Sequence, residues 1–98
     1  MVEVRWTLQA VEDLDSITEF IAKDSTQYAR LFVSDIFQAV ERIADFPKSG
    51  RVVPEIHDPG IREVILGSYR LVYRLKDDQI ELLTLFHGAR LLKPERLR

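Results

Sequence analysis

The sequence predicts an α+β domain: an N-terminal strand and a two-helix antiparallel hairpin lead into a three-stranded antiparallel meander, with the helices on one face of the sheet. Two observations carry this expectation. The stretch IREVILGSYRLVYRLKDDQIELLTLFHGAR, Ile61 to Arg90, is built of alternating and β-branched apolar runs, broken only at Gly67-Ser68 and Asp77-Asp78. Upstream of it, two segments repeat apolar residues at spacings of three and four, the period of an amphipathic helix.

Taken in order, Val2, Val4 and Trp6 alternate with Glu3 and Arg5 and read as a short strand. Thr7 is placed to cap a helix whose buried stripe is Ala10, Leu14, Ile17 and Ile21, widened by Val11 and Phe20. Asp24-Ser25 ends it and can cap a second helix, with Ala29, Val33, Ile36, Val40 and Ile43 as its stripe and Phe32 and Phe37 beside it. Phe46-Pro47 stops that helix, because a residue before proline is pushed out of the helical basin. So short a link makes the two helices antiparallel neighbours. Lys48 to Gly60, with two glycines and two prolines, reads as an irregular loop in which His57 is a solvated residue.

The turns set an expected register. A two-residue loop at Asp77-Asp78 pairs Lys76 with Gln79, and counting outward gives Arg74/Glu81, Tyr73/Leu82, Val72/Leu83, Leu71/Thr84, Arg70/Leu85 and Tyr69/Phe86. A type II′ turn at Gly67-Ser68 pairs Leu66 with Tyr69, Ile65 with Arg70, Glu63 with Val72 and Ile61 with Arg74. Side chains alternate across a strand. One face therefore holds Val64, Leu66, Tyr69, Leu71, Tyr73, Leu75, Ile80, Leu82 and Phe86, a natural core. The other gathers Glu63, Arg70, Arg74 and Glu81, with His87 diagonal to Arg70, among Ile61, Ile65, Val72, Leu83 and Leu85. Half-covered charges among aliphatics have the character of a binding surface, and Arg51, in the preceding loop, can overhang it.

Composition narrows the function. Ninety-eight residues, of which 46% are hydrophobic, form one domain spanning 1–98 that can bury a core without staples. With no cysteine and two histidines thirty positions apart, thiolate catalysis and a disulfide framework are excluded and no metal or cofactor is expected. No apolar run approaches the roughly 18 residues of a membrane span and the start lacks a signal-peptide pattern, so a soluble, cytoplasmic chain is expected. The net charge of −2 divides unevenly: four Lys/Arg against nine Asp/Glu in residues 1–45, and ten against seven in 46–98, or −5 and +3.

The order strand, helix, helix, loop, three strands, together with FPKSGRVVPE, REVILGSYRLVYRL and LFHGAR, resembles the RelE/ParE superfamily of small bacterial toxins over nearly the whole chain. The resemblance implies a type II toxin that a cognate antitoxin wraps and silences. Two branches imply different targets. A RelE-like toxin enters the ribosome and cuts mRNA by driving a 2′-hydroxyl onto its own 3′-phosphodiester, which needs a base, an acid and cations around the phosphorane. By that resemblance Arg70 and Arg90 match phosphate-binding arginines, with Glu63 as base and His87 as acid. The chain departs from RelE at Arg96, where RelE has a catalytic tyrosine, and it lacks the lysine pair before the meander. A ParE-like toxin instead binds DNA gyrase without chemistry of its own. The FPKSGRVVPE loop, the HGAR ending and ten arginines against four lysines are closer to this branch, with Arg51, Arg70, Arg74 and Arg90 as target-contacting residues.

Overall fold

A computed structural model describes residues 2–88. The elements run β1 (Glu3–Trp6), α1 (Leu8–Asp24), α2 (Thr26–Asp45), β2 (Arg51–Val52), β3 (Ile61–Leu66), β4 (Tyr69–Lys76) and β5 (Gln79–His87). They build one five-stranded sheet in the order β1-β5-β4-β3-β2. The N-terminal strand, whose partner the sequence does not name, runs parallel to β5 at one edge, with Val4 beside Ile80 and Trp6 beside Leu82. At the other edge β2, inside the stretch expected to be all loop, pairs Arg51 with Glu63 and Val52 with Arg62.

Helix boundaries follow their capping chemistry. The Thr7 hydroxyl accepts the Ala10 N–H and the Ser25 hydroxyl accepts the Tyr28 N–H, so each helix begins by satisfying an amide that has no partner within its first turn. The apolar stripes then meet the sheet. Ala10, Ile36, Val40 and Ile43 pack with Leu71, Tyr73, Ile80, Leu82 and Leu85 in one buried cluster. A fully buried aliphatic side chain is worth about 1.5–3 kcal/mol of transfer free energy, so this layer is a major source of stability.

The hairpin turns behave as their residues require. Gly67 has φ of 59° and Ser68 does not share the positive φ, as in a type II′ turn, while Asp77 takes the left-handed region with φ of 54°. The β3–β4 register is the expected one throughout, as is β4–β5 from Lys76/Gln79 to Tyr73/Leu82. Beyond that point the expected count fails. A bulge between Val72 and Tyr73 pairs Val72 with Thr84, Leu71 with Leu85, Arg70 with Phe86 and Tyr69 with His87. The extra β5 residue reverses the phase of everything after it. Leu85 enters the helix-side core, and Phe86 moves to the opposite face.

That opposite face is a second core where an open binding surface was expected. Val53, Ile61, Val72, Leu83 and Phe86 form a buried cluster with Ile56 packed against it. The segment Val53 to Gly60 lies across the sheet as a cover, tied down by Val53 N–H to Ile61 O (3.2 Å) and Leu75 N–H to Gly60 O (2.7 Å).

Candidate functional site

Under this cover the sheet carries three charged residues in a line, Arg51, Glu63 and Arg70, and the cover adds a fourth, Glu55. Arg70 projects from β4 and is 6% exposed, and Glu63 projects from β3 and is 1% exposed. Arg70 Nε and Nη2 both lie 2.6 Å from Glu63 Oε1. The remaining donors of the fork reach the cover: Nη1 to Glu55 Oε2 and Nη2 to Glu55 Oε1, each at 2.8 Å. Glu63 Oε2 accepts the Nε–H of Arg51, at 2.6 Å, from β2. The Arg70 guanidinium also stacks over the Phe86 ring, 4.9 Å from its centroid, a contact made only because the bulge turns Phe86 to this side.

Two guanidiniums and two carboxylates sum to zero. Arg70 is held more firmly protonated than an ordinary guanidinium, first by its hydrogen bonds to Glu55 and then by Glu63, against the opposing cost of burial. Buried charges persist only when paired and hydrogen-bonded in this way. Glu55 is the member that sequence reasoning missed. A signal for it existed: Arg51 and Arg70 around a single Glu63 leave one cation unbalanced, and a buried cation demands a carboxylate.

Of the other candidates, Arg74 leaves the cluster and His87 stands at its edge. Arg74 does not reach Glu63 but pairs with Glu81 (3.6 Å), which also meets Arg5 (3.4 Å), at the sheet surface. His87, expected beside Arg70, sits opposite Tyr69 with its ring edge-on to the tyrosine, centroids 5.6 Å apart. Arg90 and Arg96 lie outside the described residues. His57 is exposed in the cover with φ of 58°. Among the described residues no group of three or more His, Cys, Asp and Glu could hold a metal ion. Nor is any helix there long and apolar enough to cross a membrane.

Tyr73 supports the site from the helix side. Its hydroxyl donates to Pro47 O (2.7 Å) and accepts the Gly50 N–H (2.9 Å), fixing the chain just before Arg51. Gly50 admits no side chain, since a Cβ would stand 2.6 Å from Tyr73 Oη and 2.8 Å from Glu63 O.

The strand-hairpin-meander arrangement is that of a known group of toxins. The family model of the ParE toxin of type II toxin-antitoxin systems, parDE, matches residues 4–92. The chain belongs to this family and is a type II toxin-antitoxin toxin. Among curated relatives, the Sinorhizobium fredii protein named "Putative toxin Y4kP" is 38% identical over 91 residues, covering 87% of this chain and 86% of the relative. Toxin RelE2 of Caulobacter vibrioides is 28% identical over 92 residues, covering 93% of this chain and all of its own (100%). Among solved structures, a chain of the chromosomal ParDE system of P. aeruginosa superposes with a TM-score of 0.72 at 26% identity, over 89% of this chain and 96% of that one. A chain of the RelBE2 toxin-antitoxin complex of Mycobacterium tuberculosis shares the fold, with a TM-score of 0.57 at 22% identity over 88% and 96%.

Proposed function

We propose that this toxin works in the cytoplasm as a ParE-like inhibitor of DNA gyrase, acting by binding rather than by cutting RNA, and that a cognate antitoxin neutralises it. The supporting observation is the mutual engagement of Glu63 and Arg70. A general base must reach the hydroxyl it deprotonates, and Glu63 is 1% exposed with its two oxygens facing Arg70 and Arg51. Phosphorane stabilisation needs positive charge not already balanced, whereas Arg70 is held by two carboxylates. His87, the matching acid, lines the same hollow as Arg70 but stands edge-on to Tyr69.

The antitoxin covers the apolar surface left on the helices. Phe20, Tyr28, Leu31 and Phe37 are all about half exposed or more, apolar surface on the helices for a partner to bury. The test runs purified toxin through two assays side by side. Gyrase inhibition with accumulation of cut DNA, and intact mRNA on programmed ribosomes, is the expected result. Codon-positioned cleavage of ribosome-bound mRNA with normal supercoiling would instead establish the RelE-like activity.

A further inference from the structure

Arg70 forms the floor of a hollow of about 470 Å³ whose other lining includes Arg51, Glu55, Ile65, Ser68 and His87. Its guanidinium divides unequally between its two carboxylates. Nε and Nη2 lie against Glu63, which is fixed on the sheet and fully buried, whereas Nη1, with Nη2 shared, is gripped in parallel by the Glu55 carboxylate. That two-point grip is the geometry by which arginine recognises a carboxylate brought by another molecule. Glu55 differs from Glu63 in being displaceable. Its side chain is 22% exposed and sits on a turn of the cover whose ends are tied down elsewhere, at Val53 and Gly60. Clearing the Arg70 fork requires the Glu55 side chain to rotate and give up both charge-assisted hydrogen bonds, which a second carboxylate in its place restores.

We propose that this hollow is a binding site for an acidic side chain of a protein partner, and that Glu55 is its built-in competitor. Exchange of one carboxylate for another keeps every donor of the fork satisfied, so no buried cation is stranded. Arg51, whose side chain is 61% exposed, stands at the rim to guide the incoming group. A nucleic-acid backbone fits less well. Its successive phosphates would bring several negative charges past the displaced Glu55 on a chain of net charge −2, whereas a protein partner inserts one carboxylate and so adds the least repulsion. The site does not depend on gyrase being the target, since it is read on the purified toxin.

The experiment compares wild type, Glu55→Ala, Glu55→Gln and Glu55→Ala/Arg70→Lys by ¹⁵N NMR titration with a hexaglutamate peptide and, separately, a 12-nucleotide single-stranded DNA. Removal of the competitor is expected to tighten hexaglutamate binding about tenfold or more, with the Arg70 Nε–H resonance moving on titration, and the double variant is expected to lose that gain. Equal affinity in wild type and both single variants would overturn the proposal, as would a gain that survives Arg70→Lys. Tighter binding of the DNA than of the peptide would overturn the choice of ligand. If neither Glu55→Ala nor Glu55→Gln folds, Glu55 is a structural member that cannot be displaced, and the proposal fails on that result too.

Discussion

Asp13 and Thr84, separated by 71 positions in the chain, are joined by a 2.5 Å hydrogen bond from the Thr84 hydroxyl to Asp13 Oδ2. The same oxygen accepts the Leu85 N–H at 3.1 Å, and Gln9 donates to Oδ1 at 2.8 Å. β1 accompanies β5 only as far as Leu82, so the bulged end of β5 turns its outer edge toward the start of α1. Thr7 donates to Leu82 O, and Asp13 receives the donors that follow. One helix turn thus replaces the missing strand and holds the bulge that brings Phe86 under Arg70.

Replacing Asp13 by Ala removes the acceptor from two buried donors at once. A buried polar group left unpaired costs about 1–3 kcal/mol, so the expected loss is about 2–4 kcal/mol in urea unfolding. Asp13→Asn, which keeps an acceptor oxygen for Leu85, is expected to lose less. A cycle with Thr84→Val should show coupling of about 0.5 kcal/mol or more, because the two side chains share a bond. Additive single effects would remove Asp13 from its role as the bulge support.

These contacts also mark where the sequence stops being readable. Pairs near a turn, Leu66/Tyr69 and Arg74/Glu81, could be counted because Gly67 and Asp77 fix the loops locally. The count fails past Tyr73 because the bulge is held by a helix residue far upstream, and nothing in LLTLF announces an extra residue. The lone Thr84 inside a buried apolar strand and the acidic Asp13 one turn past Ala10 were the available signs. The face carrying Glu63 and Arg70 was identified correctly, but its burial was not. That burial depends on Val53, Ile56 and Glu55 folding back over the sheet, and a loop rich in proline and glycine carries no periodicity to show it.

Tyr73 supplies a pH prediction. Burial pushes its phenol above the ordinary value of 10.0, opposed in part by the hydrogen bond from Gly50. The folded state therefore keeps its proton at a pH where the unfolded chain has lost it, so stability is fully present below about pH 10 and falls as pH rises from there through the higher folded value. Tyr73→Phe should cost about 1–3 kcal/mol near neutrality, by stranding the Gly50 N–H and Pro47 O, and should flatten the alkaline loss relative to wild type. Parallel alkaline curves for the two proteins would contradict this.

Gly50→Ala tests the same junction by crowding instead of deletion. Its Cβ meets the Glu63 carbonyl, which is sheet backbone and cannot swing away. Overpacking of this kind costs about 1–3 kcal/mol. Thermal unfolding of the variant should therefore fall well below that of an alanine substitution at exposed Ser68, where nothing is crowded.

Arg70 and Arg74, both candidates on the same strand, should respond very differently to alanine. Arg70→Ala leaves Glu63 buried with Arg51 as its remaining cation and detaches Glu55 from the sheet. Removing one partner of a buried pair costs about 3–5 kcal/mol, equivalent to a fall in Tm of about 12 °C or more for a domain of this length. Arg74→Ala breaks a 3.6 Å pair with Glu81 on a side chain that is 36% exposed, worth about 1 kcal/mol or less. Differential scanning calorimetry of the two variants checks the contrast, and equal Tm values would refute the buried network. Loss of toxicity in Arg70→Ala at growth temperature then reports lost fold, so any claim that Arg70 touches the target must be measured below the variant's own Tm.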